Sequence, residues 1–229
     1  YNNFYGANVT HPLENMSRTE DNKTNNNRLL GSANAEITFS PKLKFKSSIS
    51  IDRVYYHNTS FLDPIKTEYG RSQYGSASDN RSLSTIMVYD NILTYDTSIK
   101  KHNFNVMAGA SGTTSKWSQT YQTVSHFLNG DIKTLNAGNK VEQGNGTTAS
   151  DWAIMSYVGR FSYNFDSKYL LTANFRADGS SKLAPGNRWG YFPSVSAAWR
   201  ISKENFFNVP WMDELKIRGN WGRLGNAAI

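Results

Sequence analysis

From Tyr157 onward the chain alternates between apolar and polar residues. Odd positions through Ala177 read Tyr, Gly, Phe, Tyr, Phe, Ser, Tyr, Leu, Ala, Phe, Ala; even positions read Val, Arg, Ser, Asn, Asp, Lys, Leu, Thr, Asn, Arg, Asp. A period of two with one apolar face predicts β-strand, since successive side chains of a strand point to opposite sides. The same alternation continues from Trp189 to Arg200 and from Leu215 to Gly222. Upstream it predicts strands over Leu29–Ser40, Leu43 to about Tyr56, Leu83–Tyr95 and Lys100–Ser111. In total this gives about eight strands of roughly ten residues, long enough to cross a bilayer at a tilt. Short turns are expected at Pro41-Lys42, Asp96-Thr97-Ser98 and Asp166-Ser167-Lys168, and a short helical turn near Lys203–Phe206. Long polar loops are expected over residues 1–28, about 57–80 and about 112–149, with the strands and their loops filling 29–226. Acids such as Asp63, Asp79 and Glu142 are expected in poorly ordered loop.

A one-sided apolar ribbon has two solutions. A soluble sandwich hides the apolar face against a second sheet; a membrane barrel turns it to lipid and turns the charged face to a wet lumen. Composition favours the second. Only 38% of residues are hydrophobic, yet 14% are aromatic. Soluble cores lean on Leu, Ile and Val, whereas barrels carry aromatic girdles at both interfaces. Short turns alternating with long loops point the same way. The expected fold is therefore all-β: a section of antiparallel transmembrane barrel.

Charge and cysteine content exclude other classes. The chain has 25 Lys and Arg, a net charge of +7 and no cysteine. Disulfide frameworks, Cys-zinc sites and thiol nucleophiles are excluded. The basic residues are scattered, with no helix-turn-helix, zinc-finger or RNP-like pattern, so no nucleic-acid partner is expected. No Ser/His/Asp set can be assembled around the 4 histidines, and no metal-ligand spacing surrounds His102, which reads as a wall residue at a strand start. Neither a catalytic activity nor a cofactor or metal is expected. Sequons at Asn8, Asn58 and Asn145 are what Asn- and Thr-rich loops produce by chance.

Two groups of residues are candidates for function. Arg160, Arg176, Asp178 and Arg200 share the charged side and would line the lumen. Trp189, Tyr191, Trp199 and Trp221 share the apolar side and would form an interfacial girdle. Pro193, inside a strand, predicts a local bulge.

Three linked runs resemble a known family: Arg176-Ala177-Asp178-Gly179-Ser180-Ser181, Asn187-Arg188-Trp189-Gly190-Tyr191-Phe192-Pro193-Ser194 and Ala198-Trp199-Arg200-Ile201-Ser202. With Gly159–Tyr163, Tyr169–Thr172 and Leu215–Asn226, they are similar to the most recognisable barrel segment of the SusC/RagA family of TonB-linked outer-membrane transporters. The specific likeness covers about residues 151–226, a weaker one 81–111, and the first 80 residues fit in style only; Ala177 stands where the family more often has a basic or bulkier residue. The resemblance implies a plugged barrel of roughly 22 strands in the Gram-negative outer membrane. It implies a plug and TonB box outside this chain, energy coupling through the TonB complex, and contact with membrane lipid and lipopolysaccharide. A SusD-like surface lipoprotein would act as partner, and glycan or peptide oligomers would be cargo for nutrient uptake. On that reading the chain is an internal piece of a longer barrel. Two alternatives stay open at this point: a soluble carbohydrate-binding β-sandwich, and a small autonomous barrel serving as adhesin or pore.

Overall fold

The computed structural model describes residues 12–225. The start of the first expected loop, the Asn8 sequon and the Asn226 end of the family-like run lie outside the described residues. Among the described residues the chain forms two short α-helices, α1 (Pro12–Thr19) and α2 (Glu68–Ser72), and nine strands. The strands are β1 (Lys23–Ser40), β2 (Leu43–Leu62), β3 (Ser76–Ile99), β4 (His102–Ser125), β5 (Lys140–Val141), β6 (Gly146–Phe165), β7 (Tyr169–Ser180), β8 (Trp189–Arg200) and β9 (Lys216–Gly222). They make one antiparallel sheet in the order β1-β2-β3-β4-β6-β7-β8-β9, with the two-residue β5 added to β4. Leaving aside the two-residue β5, each strand pairs with the next in sequence, the up-and-down order of a barrel wall. Among the described residues there is no second sheet to make a sandwich, and the sheet does not close, since β1 and β9 each pair on one side.

The strands overrun the expected bounds. β3 and β4 each have 24 residues and β2 and β6 each have 20, against roughly ten expected. The loop expected over 1–28 gives way to strand at Lys23, that at 57–80 shrinks to 63–75, and that at 112–149 shrinks to 126–145. The physical reason lies in segments such as Thr113-Thr114-Ser115-Lys116 and Gln119–Thr123. There both faces are polar, so alternation vanishes, while Thr and Tyr remain good strand formers and the ladder continues.

The chain divides into two compact units. The first contains, among described residues, 12–29, 52–85 and 116–151. Its core is Phe61, Ala77, Val124 and Phe127, with Leu135 and Ala137 packed against them. The Phe61 and Phe127 rings meet edge to face at 5.2 Å. The acids expected in disordered loop are instead fixed. Buried Asp63 accepts the Ile65 and Lys66 amides through Oδ1 at 2.8 and 3.0 Å. Asp79 lies in β3 and receives Arg81 at 2.8 Å and His57 at 3.1 Å. Glu142 accepts the Ser125 hydroxyl, and Lys140 stands 3.3 Å away.

The second unit contains 30–51, 86–115 and 152–225. Its strand segments come close to the expected ten residues, and three tight turns join them. Asp166 and Ser167 both have positive φ (51° and 57°), and the Lys168 amide reaches the Phe165 carbonyl at 2.8 Å. That is a type I′ turn, whose twist matches the flanking strands. The turn expected at Asp96-Thr97-Ser98 falls instead at Lys100-Lys101, where Lys100 has φ 55°. The polar side chains that suggested it are satisfied across the hairpin: Asn105 donates to Asp96 and Ser98 to Asn103, both at 2.6 Å. The short helical turn is a 3-10 turn at Ile201–Lys203.

The bulge expected at Pro193 is absent, because β7 and β8 pair without interruption from Tyr169↔Trp199 to Gly179↔Trp189. The Pro193 carbonyl accepts the Arg223 amide at 3.0 Å, so its nitrogen also points toward the β9 side, past Gly222 where that strand ends. No hydrogen bond to β7 is lost there, and proline is tolerated without distortion.

Candidate functional site

The site is the wall itself, β6 to β9, whose register puts two chemistries on opposite faces. On one face Tyr157 stands opposite Ala177, which stands opposite Tyr191; Phe161, Ala173, Val195 and Trp221 form one row, and Phe165, Tyr169, Trp199 and Ile217 another. Phe161, Tyr169 and Phe175 are 39%, 44% and 49% exposed, although each lies within the sheet. Stacked pairs run along this face: Tyr157 with Trp189 at 5.9 Å, Phe175 with Tyr191 at 6.1 Å, and Tyr169 with Trp199 at 6.3 Å. The Trp189 indole lies flat on Gly179, where a Cβ would come within 2.9 Å of the ring. His102 opens β4 as expected of a wall residue, bonded through Nδ1 to the Tyr163 hydroxyl at 2.8 Å and close to the Phe165 ring.

The other face is polar and internally bonded. Arg176 donates through Nε to both Asp178 oxygens at 2.7 and 2.8 Å, and reaches the buried Ser156 hydroxyl at 3.0 Å. Arg160 donates to Asn174 at 3.0 Å, and Asn174 to Ser194 at 3.2 Å. Arg200 stands apart from both groups, at the turn end of β8, paired with Glu214 at 3.1 Å. Of the four aromatic candidates, Trp189 and Tyr191 lie at one end of β8 and Trp199 at the other. Trp221 faces Val195, a rung in the middle of β8.

Two features were not read from the sequence. Phe192 is an apolar ring on the polar face, seated between Gly190 and Gly225; a Cβ on either would come within 2.6 or 2.1 Å of the ring. The interrupted even-position pattern at 192 was the available signal. The second is Glu204, in the connection between β8 and β9. Its carboxylate accepts Lys168 at 2.8 Å, the Tyr169 hydroxyl at 2.7 Å and the Trp199 indole N–H at 3.1 Å. Lys168 foremost, then Tyr169 and Trp199, hold this carboxyl at about 2, and the Lys168 ammonium is correspondingly raised. Nothing in a lone Glu at that position announces three donors arriving from two strands.

This carboxyl has a pH consequence. Its folded value is depressed, so the stabilisation is full above its ordinary value of 4.5 and disappears as pH falls toward 2. In the full-length protein, the amides over residues 201–215 are expected to lose protection, measured relative to their intrinsic exchange rates, through that window. Glu204→Gln should show low protection already at neutral pH and no further loss on acidification. A variant that kept the acid-dependent loss would show that another group is responsible.

A single-layered antiparallel wall, aromatic and exposed on one face and hydrogen-bonded and charged on the other, is the construction of a membrane β-barrel. A soluble monomer rarely leaves so continuous an apolar face in water.

Comparison with known proteins narrows this class. No protein-family profile matches the chain. The chain is 27% identical to the TonB-dependent receptor SusC of Bacteroides thetaiotaomicron over 233 residues, 98% of this chain and 22% of that protein. It is 29% identical to the TonB-dependent receptor P26 of Formosa agariphila over 241 residues, 100% of this chain and 24% of that protein. In fold it is similar to the RagAB peptide transporter, with a TM-score of 0.83 over 92% of this chain and 24% of that one, at 21% identity. The chain thus spans about a fifth to a quarter of the length of the curated relatives it matches. The resemblance to SusC/RagA-type TonB-dependent receptors, which are outer-membrane proteins, is borne out, and it extends over nearly the whole chain, beyond the specific likeness at 151–226 and the weaker one at 81–111.

Proposed function

We propose that this chain is part of the barrel wall of an outer-membrane nutrient importer of SusC/RagA type. The full-length protein takes up glycan or peptide oligomers together with a SusD-like surface lipoprotein. The TonB complex supplies the energy through a plug and TonB box outside the present sequence. The observation that carries this is the division of β6–β9 into an exposed aromatic face and a bonded polar face. The likeness to TonB-dependent receptors supports the rest. Arg160, Arg176, Asp178 and Arg200 would face the lumen and its plug or cargo. Trp189, Tyr191 and Trp199 would meet lipid or lipopolysaccharide near the interfaces, with Trp221 deeper in the wall. No step of catalysis belongs to this reading.

The test is uptake. Deleting the gene of the full-length protein should abolish entry of fluorescent oligosaccharides or oligopeptides above the size that diffuses through general pores. A proton uncoupler should do the same in the parent strain. Recovery of the full-length protein in the soluble periplasmic fraction, or uptake indifferent to the uncoupler, would refute the proposal.

A further inference from the structure

We propose that the connection between β8 and β9, residues 201–215, is a membrane-surface anchor. Its Phe206 and Trp211 would enter the headgroup layer of the leaflet on the tight-turn side of the wall. The proposal rests on the reading that the aromatic face of β6–β9 meets lipid, and extends it to a segment that is not strand.

Three observations carry it. The first is contrast with the neighbouring turns. On this side of the sheet the other connections are 41–42, 100–101 and 166–168, made only of Pro, Lys, Asp and Ser. The connection after β8 is far longer and contains Phe206, Phe207, Trp211 and Met212. Phe206 and Trp211 are 70% and 79% exposed, whereas Phe207 and Met212 tuck in. A connection that only reversed the chain in water would have no use for two large rings held out of its own core.

The second is continuity with the wall. Phe206 meets Trp199 at 6.4 Å, tilted 65°. Trp199 is the last aromatic of β8 on the apolar face, so Phe206 extends that face beyond the final rung.

The third is that the segment is fixed rather than loose. The Ser202 amide bonds to the Leu215 carbonyl at 3.2 Å, and Arg200 to Glu214 at 3.1 Å, closing its base. Glu204 ties it to Lys168, Tyr169 and Trp199. That contact also satisfies the tyrosine hydroxyl and the indole N–H, so these rings can sit against acyl chains with no polar group left unpaired. Phe206, presented from this frame at the margin of the apolar wall, and the exposed Trp211 further along the same connection suit the headgroup region, where amphipathic aromatics concentrate.

The test uses the full-length protein, with any other cysteine removed, in phosphatidylethanolamine–phosphatidylglycerol liposomes. This chain contributes no cysteine of its own. Spin labels are placed singly through Phe206→Cys, Trp211→Cys, Phe161→Cys as the wall reference and Lys42→Cys as the aqueous reference. Collision with oxygen and with a water-soluble nickel chelate is measured at each. Labels at 206 and 211 are expected to be reached by oxygen and shielded from nickel, at a shallower depth than the label at 161. If they collide with nickel as freely as the label at 42 while the label at 161 lies in oil, the anchor is refuted and the wall reading stands. Shielding from both reagents would mean a protein partner covers the segment, which also refutes it. A label at 161 that behaves as aqueous would overturn the wall reading itself and the anchor with it.

Discussion

Replacing Val195 by arginine will lower the unfolding free energy of the full-length protein in a bilayer by about 2–4 kcal/mol, the cost of a cation on the lipid side near mid-depth. Val195 lies on the aromatic face, opposite Ala173 and Trp221, in the middle of β8. The adjacent Ser196→Arg places the same charge on the polar face, beside Thr172 and Asn220, and should change stability by no more than about 0.5 kcal/mol. Denaturant unfolding from liposomes, followed by heat-modifiable gel mobility, measures both. Both variants introduce the same side chain at consecutive positions on opposite faces, and the span of strand propensity, about 1 kcal/mol, is smaller than the difference expected. Equal costs would mean that both faces meet the same medium, and the transporter reading would lose its physical basis.

The second large effect is expected within the first compact unit. Gly70 sits in α2, which Thr67 caps by accepting the Gly70 amide at 2.9 Å. A Cβ at Gly70 would lie 2.0 Å from the backbone carbonyl oxygen of Asp63. That carbonyl cannot rotate away, because the Asp63 side chain is itself bound to the Ile65 and Lys66 amides. Gly70→Ala should therefore destabilise this loop locally by about 1–3 kcal/mol, the range of overpacking in a tight site. Hydrogen exchange should quicken over residues 63–75 while β7 and β8 keep their protection. Unchanged protection at 63–75 would show that the close approach is not maintained in solution.

How far the sequence could be read follows from where oil and water alternate. Over 157–177 each side chain declares its face, and both register and turn emerged from the pattern, down to Asp166-Ser167-Lys168. Where a strand segment carries no apolar residue on either face, as at Thr113-Thr114-Ser115-Lys116 in β4, the pattern is silent. Those residues were read as loop for that reason. Pro193 misled in the opposite way: its missing amide costs nothing because the neighbouring strand stops at Gly222, a fact of pairing that no single strand contains. Arg176 and Asp178 were legible as residues of one charged face, but Ser156, which joins their bonded group, arrives from another strand. Glu204 was invisible for the same reason, since its meaning lies in Lys168, Tyr169 and Trp199.

The tight turns carry one more implication. The Lys42 carbonyl accepts the Asp96 amide, the Lys101 carbonyl accepts the Asp166 amide, and the Lys168 carbonyl accepts the Arg200 amide, each at 2.8 Å. Each of these acceptors lies in a tight turn, so each bond ties one hairpin to the next at the turn end of the wall. A one-residue slip between neighbouring hairpins would leave that turn carbonyl without its partner and would also carry the aromatic set to the polar side, so the turns guard the same alignment that the two faces demand.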